Sequence, residues 1–119
     1  MPYVDGFVLN VPKKNLPAYK KMAAKASKIW REYGAVDYKE CVLDDGRAKG
    51  CLAFPKLAKS KTGETIVFSY IVYKSRAHRD ATLKKVMKDK RLNDMCKDGK
   101  MPFDPKRMAY GGFKVMVSA

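Results

Sequence analysis

Asp5 is the residue whose surroundings in this sequence most favour chemistry. It lies inside YVDGFVLNV, a run that is otherwise almost wholly apolar. A carboxylate in such a strand must accept hydrogen bonds, pair with a cation, or stay protonated at a raised pKa. Arg79, Arg107 and Tyr110 are its possible partners. In a catalytic interpretation Asp5 is the acid or base while Tyr110 and Arg107 orient a substrate, and in a structural interpretation Asp5 belongs to an internal ion pair.

A set of aromatic and polar residues is predicted to form a pocket with Asp5. Its members are Tyr3, Trp30, Tyr70, Arg79 and Asp104. Asp104 lies in MPFDPKR, where two prolines restrict the backbone. This segment is either a rigid turn, in which Asp104 bonds local amides or pairs with Arg107, or a preorganised polar cluster at the mouth of a barrel.

The histidine and the cysteines give little support for metal chemistry. His78 is the only histidine, and the three cysteines Cys41, Cys51 and Cys96 show no CxxC spacing. The odd number argues against a disulfide framework, and the scatter argues against a zinc site. We therefore predict free thiols, a surface histidine, and neither a metal nor a cofactor.

The first predicted helix and its approach carry the clearest charge pattern in the chain. The chain has 26 Lys and Arg against 12 Asp and Glu, a formal charge of +14. Seven basic residues occur before the first acid of this region: Lys13, Lys14, Lys20, Lys21, Lys25, Lys28 and Arg31. Such a face either binds nucleic acid or another polyanion without sequence preference, or serves solubility alone. Since no RNP motif accompanies it, sequence-specific RNA recognition is not expected.

Four strands and two helices are predicted to position these residues. Alternating apolar residues predict strands over residues 3–11, 35–43, 64–74 and 108–117. Helical periodicity predicts helices over residues 14–33 and 76–88, with Asn15 and Ser75 as N-caps, and a short helical turn over residues 91–96. Loops are expected over residues 44–63 and 98–107. This order is the ferredoxin-like βαββαβ arrangement, an α+β fold with a four-stranded antiparallel sheet, and residues 1–119 form one domain.

Both faces of the predicted sheet are apolar. In the third strand Ile66, Phe68, Tyr70 and Val72 share one face, while Val67, Ile71 and Tyr73 share the other. The helices of this fold cover one face only, and the chain has no third long helix for the second face. We therefore predict a homodimer in which two sheets pack together as an α/β barrel.

Motifs along the whole chain resemble the YbaA-like family of small bacterial proteins. They are YVDGFVLNVP, MAAKA, EYGA, FSYIVYKSR, KVMKDKR and MPFDPKRMAYGGF. The resemblance extends from Tyr3 to Phe113 and identifies the family as the domain of unknown function 1428. It implies the dimeric α/β-barrel class of ferredoxin-like folds, and it implies no activity.

Three functional hypotheses follow from these patterns. The first is a homodimeric barrel that binds a small ligand or acts in regulation, and the second is a nonspecific polyanion-binding protein. The third is a cofactor-independent, oxygenase-like enzyme, which rests on fold-level analogy alone. No apolar run approaches the roughly 20 residues of a membrane span, and the N-terminus lacks the basic region of a signal peptide. We therefore predict a cytoplasmic protein with no membrane partner.

Overall fold

The computed structural model of the chain describes residues 1–96 and 99–119, which contain four strands and four helices. The first residue of the predicted loop 98–107 lies outside this part. The strands are β1 (Tyr3–Pro12), β2 (Asp37–Val42), β3 (Glu64–Tyr73) and β4 (Ala109–Lys114). The helices are α1 (Leu16–Glu32), α2 (Phe54–Leu57), α3 (Arg76–Met87) and α4 (Lys90–Met95). Single 3-10 turns, Lys13–Asn15 and Pro105–Arg107, lead into α1 and β4.

Local chemistry explains most helix boundaries. The hydroxyl of Ser75 accepts a hydrogen bond from the His78 amide, so it caps α3 as predicted. Asn15 occupies the N-cap position of α1 as predicted, but its side chain does not cap the helix and its amide instead donates to the carbonyl of Pro102. Gly34 follows α1 with φ +110°, a conformation that favours glycine. In the described ranges no helix is long and apolar enough to cross a membrane.

The sheet has the strand order β2-β3-β1-β4, and every neighbouring pair is antiparallel. This order and the βαββαβ sequence of elements confirm the predicted α+β ferredoxin-like fold. The ten-residue strands β1 and β3 occupy the centre, and Asp5 lies between Ile71 on β3 and Gly112 on β4. The predicted loop 44–63 also contains the single turn of α2.

The core lies between the helices and one face of the sheet. Odd-numbered residues of β1 and β3 point to this side, because side chains alternate along a strand. One buried cluster contains Leu9, Val11, Tyr19, Ala23 and Val67. A second contains Tyr3, Ala35, Ile71 and Tyr73.

The other face of the sheet, here termed the open face, is only partly covered. The residues around α2 cover one end, where the amide of Asn10 donates to the carbonyl of Ala58 and Phe54 packs edge-on against Phe68. The remainder presents Val4, Val8, Phe68, Tyr70 and Phe113. The protomer is a slab of 40 × 38 × 20 Å. Its accessible surface of 8470 Å² exceeds the roughly 6500 Å² expected for a compact monomer of this mass.

Candidate functional site

A cavity of about 420 Å³ lies between the sheet and the helices. Its walls are mainly apolar and include Leu83 and Met87 of α3, Met95 of α4, and Phe103 and Met108 before β4. The polar residues in its lining come chiefly from the sheet. They are Asp5, Tyr38, Glu40, Ser69 and Tyr110, together with Tyr19 of α1.

Asp5 is the most deeply buried charged group of the cavity. It is 1% exposed, and its Oδ1 accepts no hydrogen bond from the described residues. The alternation of β1 forces this burial, since Tyr3, Asp5 and Phe7 all point towards the helices. The fold therefore holds a carboxylate with unused hydrogen-bonding capacity against an apolar space.

Arg79 is the cation beside Asp5. Its Nε lies 3.6 Å from Asp5 Oδ1 and has no hydrogen-bond acceptor among the described residues. Its Nη2 donates to the Tyr3 hydroxyl at 3.1 Å, and its guanidinium lies 5.0 Å from the centre of the Tyr3 ring. Its Nη1 reaches the Tyr110 hydroxyl at 3.5 Å, and Asp80 Oδ1 lies 3.4 Å from Nε. The arginine is thus held mainly by Tyr3, with Asp5 just beyond hydrogen-bonding distance.

Gly112 makes room for this arrangement. A β-carbon at position 112 would lie 2.4 Å from the Tyr3 hydroxyl and 2.7 Å from Arg79 Nη2. The Gly111-Gly112 pair in the sequence predicts a bulge or a close approach to the backbone, and Gly112 shows the close approach. Its absent side chain leaves room for the Tyr3 hydroxyl and Arg79 to meet against β4, beside Asp5.

Burial raises the pKa of the Asp5 carboxyl above its ordinary value, while Arg79 and the hydroxyls of Tyr110 and Tyr73 oppose this shift. Burial and the nearby Asp5 charge likewise raise the pKa of Tyr73 and of Tyr110. The Trp30 indole donates to the Tyr73 hydroxyl at 3.1 Å. The structure therefore gathers Tyr3, Trp30, Arg79 and Tyr110 around Asp5 and adds Tyr73, which the sequence analysis had assigned only to the core.

We expect Asp5→Asn to raise the free energy of unfolding by about 1 kcal/mol near pH 7. Because the pKa of the Asp5 carboxyl is higher in the folded state than in the unfolded chain, the free energy of unfolding falls as the pH rises above the unfolded pKa, which is near 3.8. Asparagine keeps the shape and carries no charge, so the gain should shrink as the pH is lowered towards 4. Denaturant unfolding across this pH range measures the difference.

Asp80→Asn is the control for this prediction. It removes a half-exposed carboxylate that lies beside the same arginine. We expect no gain in stability from this variant. An Asp5→Asn protein less stable than the wild type near pH 7 would show that the carboxylate is a net stabilising partner of Arg79.

A second carboxylate lies on the same side of the sheet. Glu40 accepts hydrogen bonds from the hydroxyls of Tyr19 at 2.7 Å and Tyr38 at 2.8 Å, one on each oxygen. Burial and the Glu40 charge raise the pKa of both tyrosines. The sequence analysis missed this group, although the alternation of AVDYKECVL places Tyr38 and Glu40 on one face.

Three residues of the predicted site lie elsewhere. Arg107 is held by Glu64, with Nη1 2.6 Å from Oε2, and this pairing lowers the pKa of Glu64 to about 2. Glu64 pairs with Pro12, seven residues and roughly 23 Å along β1 from Asp5. Asp104 accepts a hydrogen bond from the Lys106 amide, as in the rigid-turn interpretation. Tyr70 points to the open face, because side chains alternate along β3 and its neighbours Ser69 and Ile71 point towards the helices.

The remaining candidates lie outside this cluster. His78 is half-buried, accepts a hydrogen bond from the Lys74 amide and packs edge-on against Tyr73. Cys41, Cys51 and Cys96 are free and exposed, and only Cys96 reaches the cavity lining. In residues 1–96 and 99–119, no three His, Cys, Asp or Glu residues are grouped as a metal site requires.

The predicted basic face is exposed along its length. Its members are Lys13, Lys14, Lys20, Lys21, Lys25, Lys28 and Arg31. None of the six lysines forms an ion pair with the described part of the chain. Arg31 differs, because its guanidinium donates to the carbonyls of Ala35 and Val36. The lysine charges are thus available to solvent.

Comparisons with known proteins add the following findings. The sequence pattern of the family described as "Protein of unknown function (DUF1428)" matches residues 2–105. The uncharacterised protein YbaA of Escherichia coli K12 is 42% identical over 117 residues, which cover 98% of each chain, and YbaA of Shigella flexneri matches equally.

Two solved structures share the fold at low sequence identity. A dimeric ferredoxin-like protein from an uncultured marine organism covers 100% of both chains, with a TM-score of 0.57 and 12% identity. An uncharacterised NIPSNAP domain protein from Burkholderia xenovorans covers 98% of this chain and 97% of its own, with a TM-score of 0.52 and 10% identity. These structures support the ferredoxin-like fold.

Proposed function

Because the chain belongs to the DUF1428 family of proteins of unknown function, as its motifs predicted, we propose a function from its own geometry. The protein is a homodimer in which each protomer binds a small, largely apolar ligand between its sheet and its helices. One observation carries this proposal: an apolar cavity whose lining includes Asp5, a buried carboxylate whose Oδ1 has no donor among the described residues. Cavities with a few convergent polar groups are typical ligand sites.

Binding is favoured over catalysis at this site. The enzymatic hypothesis used Asp5 as acid or base, with Tyr110 and Arg107 orienting the substrate. Arg107 is instead paired with Glu64, so this set is incomplete. The raised pKa of Asp5 also arises mainly from burial, with the Asp80 charge adding to it, and is a common property of structural carboxyls.

Filling the cavity should abolish binding of an apolar reporter. Ala26 of α1 lines the cavity, and Ala26→Phe would place a ring inside it. We expect this variant to bind the neutral dye Nile red at least about tenfold more weakly than the wild type, since a filled pocket buries less of the dye. Fluorescence titration measures the affinity.

Ala81→Phe is the matched control, because Ala81 is exposed on α3 and lies outside the cavity lining. It should bind the dye as the wild type does. Equal weakening by both variants, or none by either, would remove the support for binding in this cavity.

The homodimer is supported by the open face and by the surface area. The open face carries Val4, Val8, Phe68, Tyr70 and Phe113, and a monomer seldom leaves such a patch in water. The surface excess of roughly 2000 Å² over a compact monomer is more than the about 800 Å² that one partner contributes to a standard interface. The name of the marine structural neighbour describes that protein as dimeric. In a two-fold dimer the open face of one copy would pack against the same face of the second copy.

Nonspecific polyanion binding is the second candidate, favoured by the exposed and unpaired lysines of α1. We expect single-stranded RNA and duplex DNA to bind near 50 mM salt and to lose at least about tenfold in affinity near 200 mM. Replacing Lys20, Lys21, Lys25 and Lys28 with Gln should weaken binding further. Fluorescence anisotropy with labelled oligonucleotides measures both effects.

The control for polyanion binding removes the same charge elsewhere. It replaces four exposed lysines outside α1: Lys56, Lys61, Lys100 and Lys106. If this variant loses as much affinity as the α1 variant, the binding follows net charge and not the helix face. If neither nucleic acid binds near 50 mM salt, the lysines serve solubility.

The proposal places the protein in the cytoplasm. The three exposed thiols support this location, because unpaired cysteines are typical of reducing compartments.

A further inference from the structure

We infer that the cavity selects neutral ligands that carry a hydroxyl-type hydrogen-bond donor, with the donor placed against Asp5 Oδ1. This inference rests on the proposed function and names the ligand class of the same cavity. It is supported by the missing hydrogen-bond donor at Asp5 Oδ1, by the charges around Asp5, and by the methionines that line the cavity.

The buried oxygen requires a donor. Asp5 is 1% exposed, lines the cavity, and has Oδ1 without a hydrogen bond from the described residues. A buried carboxylate oxygen left in this state is costly, and a ligand donor would remove that cost. Glu40, the other carboxylate of the lining, already accepts from Tyr19 and Tyr38. Of the two carboxylates, Asp5 is therefore the one with an oxygen that has no hydrogen-bond donor among the described residues.

The charges around Asp5 favour a neutral head group. Arg79 Nε lies 3.6 Å from the same oxygen and 3.4 Å from Asp80 Oδ1, so the guanidinium is already balanced by two carboxylates and has no excess charge to attract an anion. A ligand carboxylate would face both Asp5 and Glu40 in an apolar space. A ligand ammonium would compete with Arg79 and would lose its hydration. A neutral hydroxyl can donate to Asp5 Oδ1 without bringing a further charge into the apolar space.

The opposite wall favours an apolar body of variable shape. Five of the seven methionines in the chain line the cavity. They are Met22, Met87, Met95, Met101 and Met108. Methionine side chains are flexible and polarisable, so they adapt to different apolar groups. The head group is therefore the selected feature, and the body is recognised mainly by its apolar surface.

Four compounds with eight-carbon chains test this selection: 1-octanol, 2-octanone, octanoate and octylammonium. Trp30 is the only tryptophan and lines the cavity, so its fluorescence reports binding directly. Near pH 7 we expect 1-octanol to bind at least about tenfold more tightly than 2-octanone, which accepts hydrogen bonds but donates none. Octanoate and octylammonium should also bind at least about tenfold more weakly than 1-octanol.

Asp5→Leu provides the second measurement. It removes the acceptor, so 1-octanol and 2-octanone should bind it with equal affinity while the apolar contacts remain. The wild-type order of affinities tests the inference even if this variant does not fold.

The outcomes separate the two levels of the argument. Binding of all four compounds without preference, or tighter binding of octanoate, octylammonium or 2-octanone, would overturn the donor rule and leave ligand binding in place. Persistence of the 1-octanol preference in Asp5→Leu would likewise exclude Asp5 as its source. If none of the compounds changes Trp30 fluorescence or gives heat in calorimetry, the proposed function itself fails.

Discussion

Replacing Gly112 with alanine is expected to lower the free energy of unfolding by about 2–3 kcal/mol, because the cluster around Arg79 has no space for a β-carbon. The new carbon would lie 2.4 Å from the Tyr3 hydroxyl and 2.8 Å from Tyr3 Cε2. Tyr3 is a buried ring that cannot turn aside freely, so the ring or the strand must move. Thermal unfolding at fixed protein concentration should show a melting temperature lower by roughly 10 °C.

Gly111→Ala is the matched control in the same strand. Its β-carbon would lie 3.4 Å from the Phe113 ring, an ordinary contact, so its stability should stay within about 1 kcal/mol of the wild type. A double variant locates the cause: in a Tyr3→Ala background, Gly112→Ala should cost much less than it does alone. Equal costs in the two backgrounds would show that Tyr3 is not the obstacle.

Replacing Phe68 with glutamate is expected to convert the proposed dimer into a monomer. Phe68 lies on the open face, is 44% exposed, and packs against Phe54 and Tyr70. In a two-fold interface each substitution would bury two unpaired carboxylates, so we expect the dissociation constant to rise by at least about a hundredfold. Light scattering at micromolar concentration measures the mass of each protein.

Val42→Glu is the control, since Val42 is 52% exposed on the other face of the same sheet. It should leave the dimer intact. A wild-type protein that has the mass of one 13.5 kDa chain at micromolar concentration would contradict the dimer outright. Dissociation by both variants would show that added charge, and not the open face, controls assembly.

Residue periodicity was sufficient to predict the fold. The strands and long helices lie within a few residues of their predicted ranges, because each apolar pattern has a single face to bury. Asp5 was also predictable, since a lone carboxylate in an apolar strand must meet a partner inside the fold. Tyr3, Trp30, Arg79 and Tyr110 do surround it.

The errors at the site arise from strand register, from side-chain alternation and from tertiary packing. Arg107 is a reasonable partner for Asp5 by residue type, yet the register places it beside Glu64 at the far end of β1. Alternation along β3 places Tyr70 on the same face as Phe68, which is the face opposite Asp5. The predicted pocket wrongly included Tyr70 because it did not take this alternation into account. The Tyr38–Glu40 pair follows from alternation along β2, but the second donor, Tyr19, lies on α1, which only tertiary packing brings to Glu40.

The lengths of the strands have a consequence for how copies of this chain can associate. The edge strands β2 and β4 have six residues each, against ten in each central strand, and both contain lysine. Short edges that carry charge are poor templates for adding strands from another molecule, so extension into filaments is discouraged. Association is therefore expected through the open face of the sheet. A second copy bound there would cover the surface that a third copy would need. Short, charged edges thus favour the proposed homodimer over open-ended association, and resistance to aggregation should depend on keeping its two copies together.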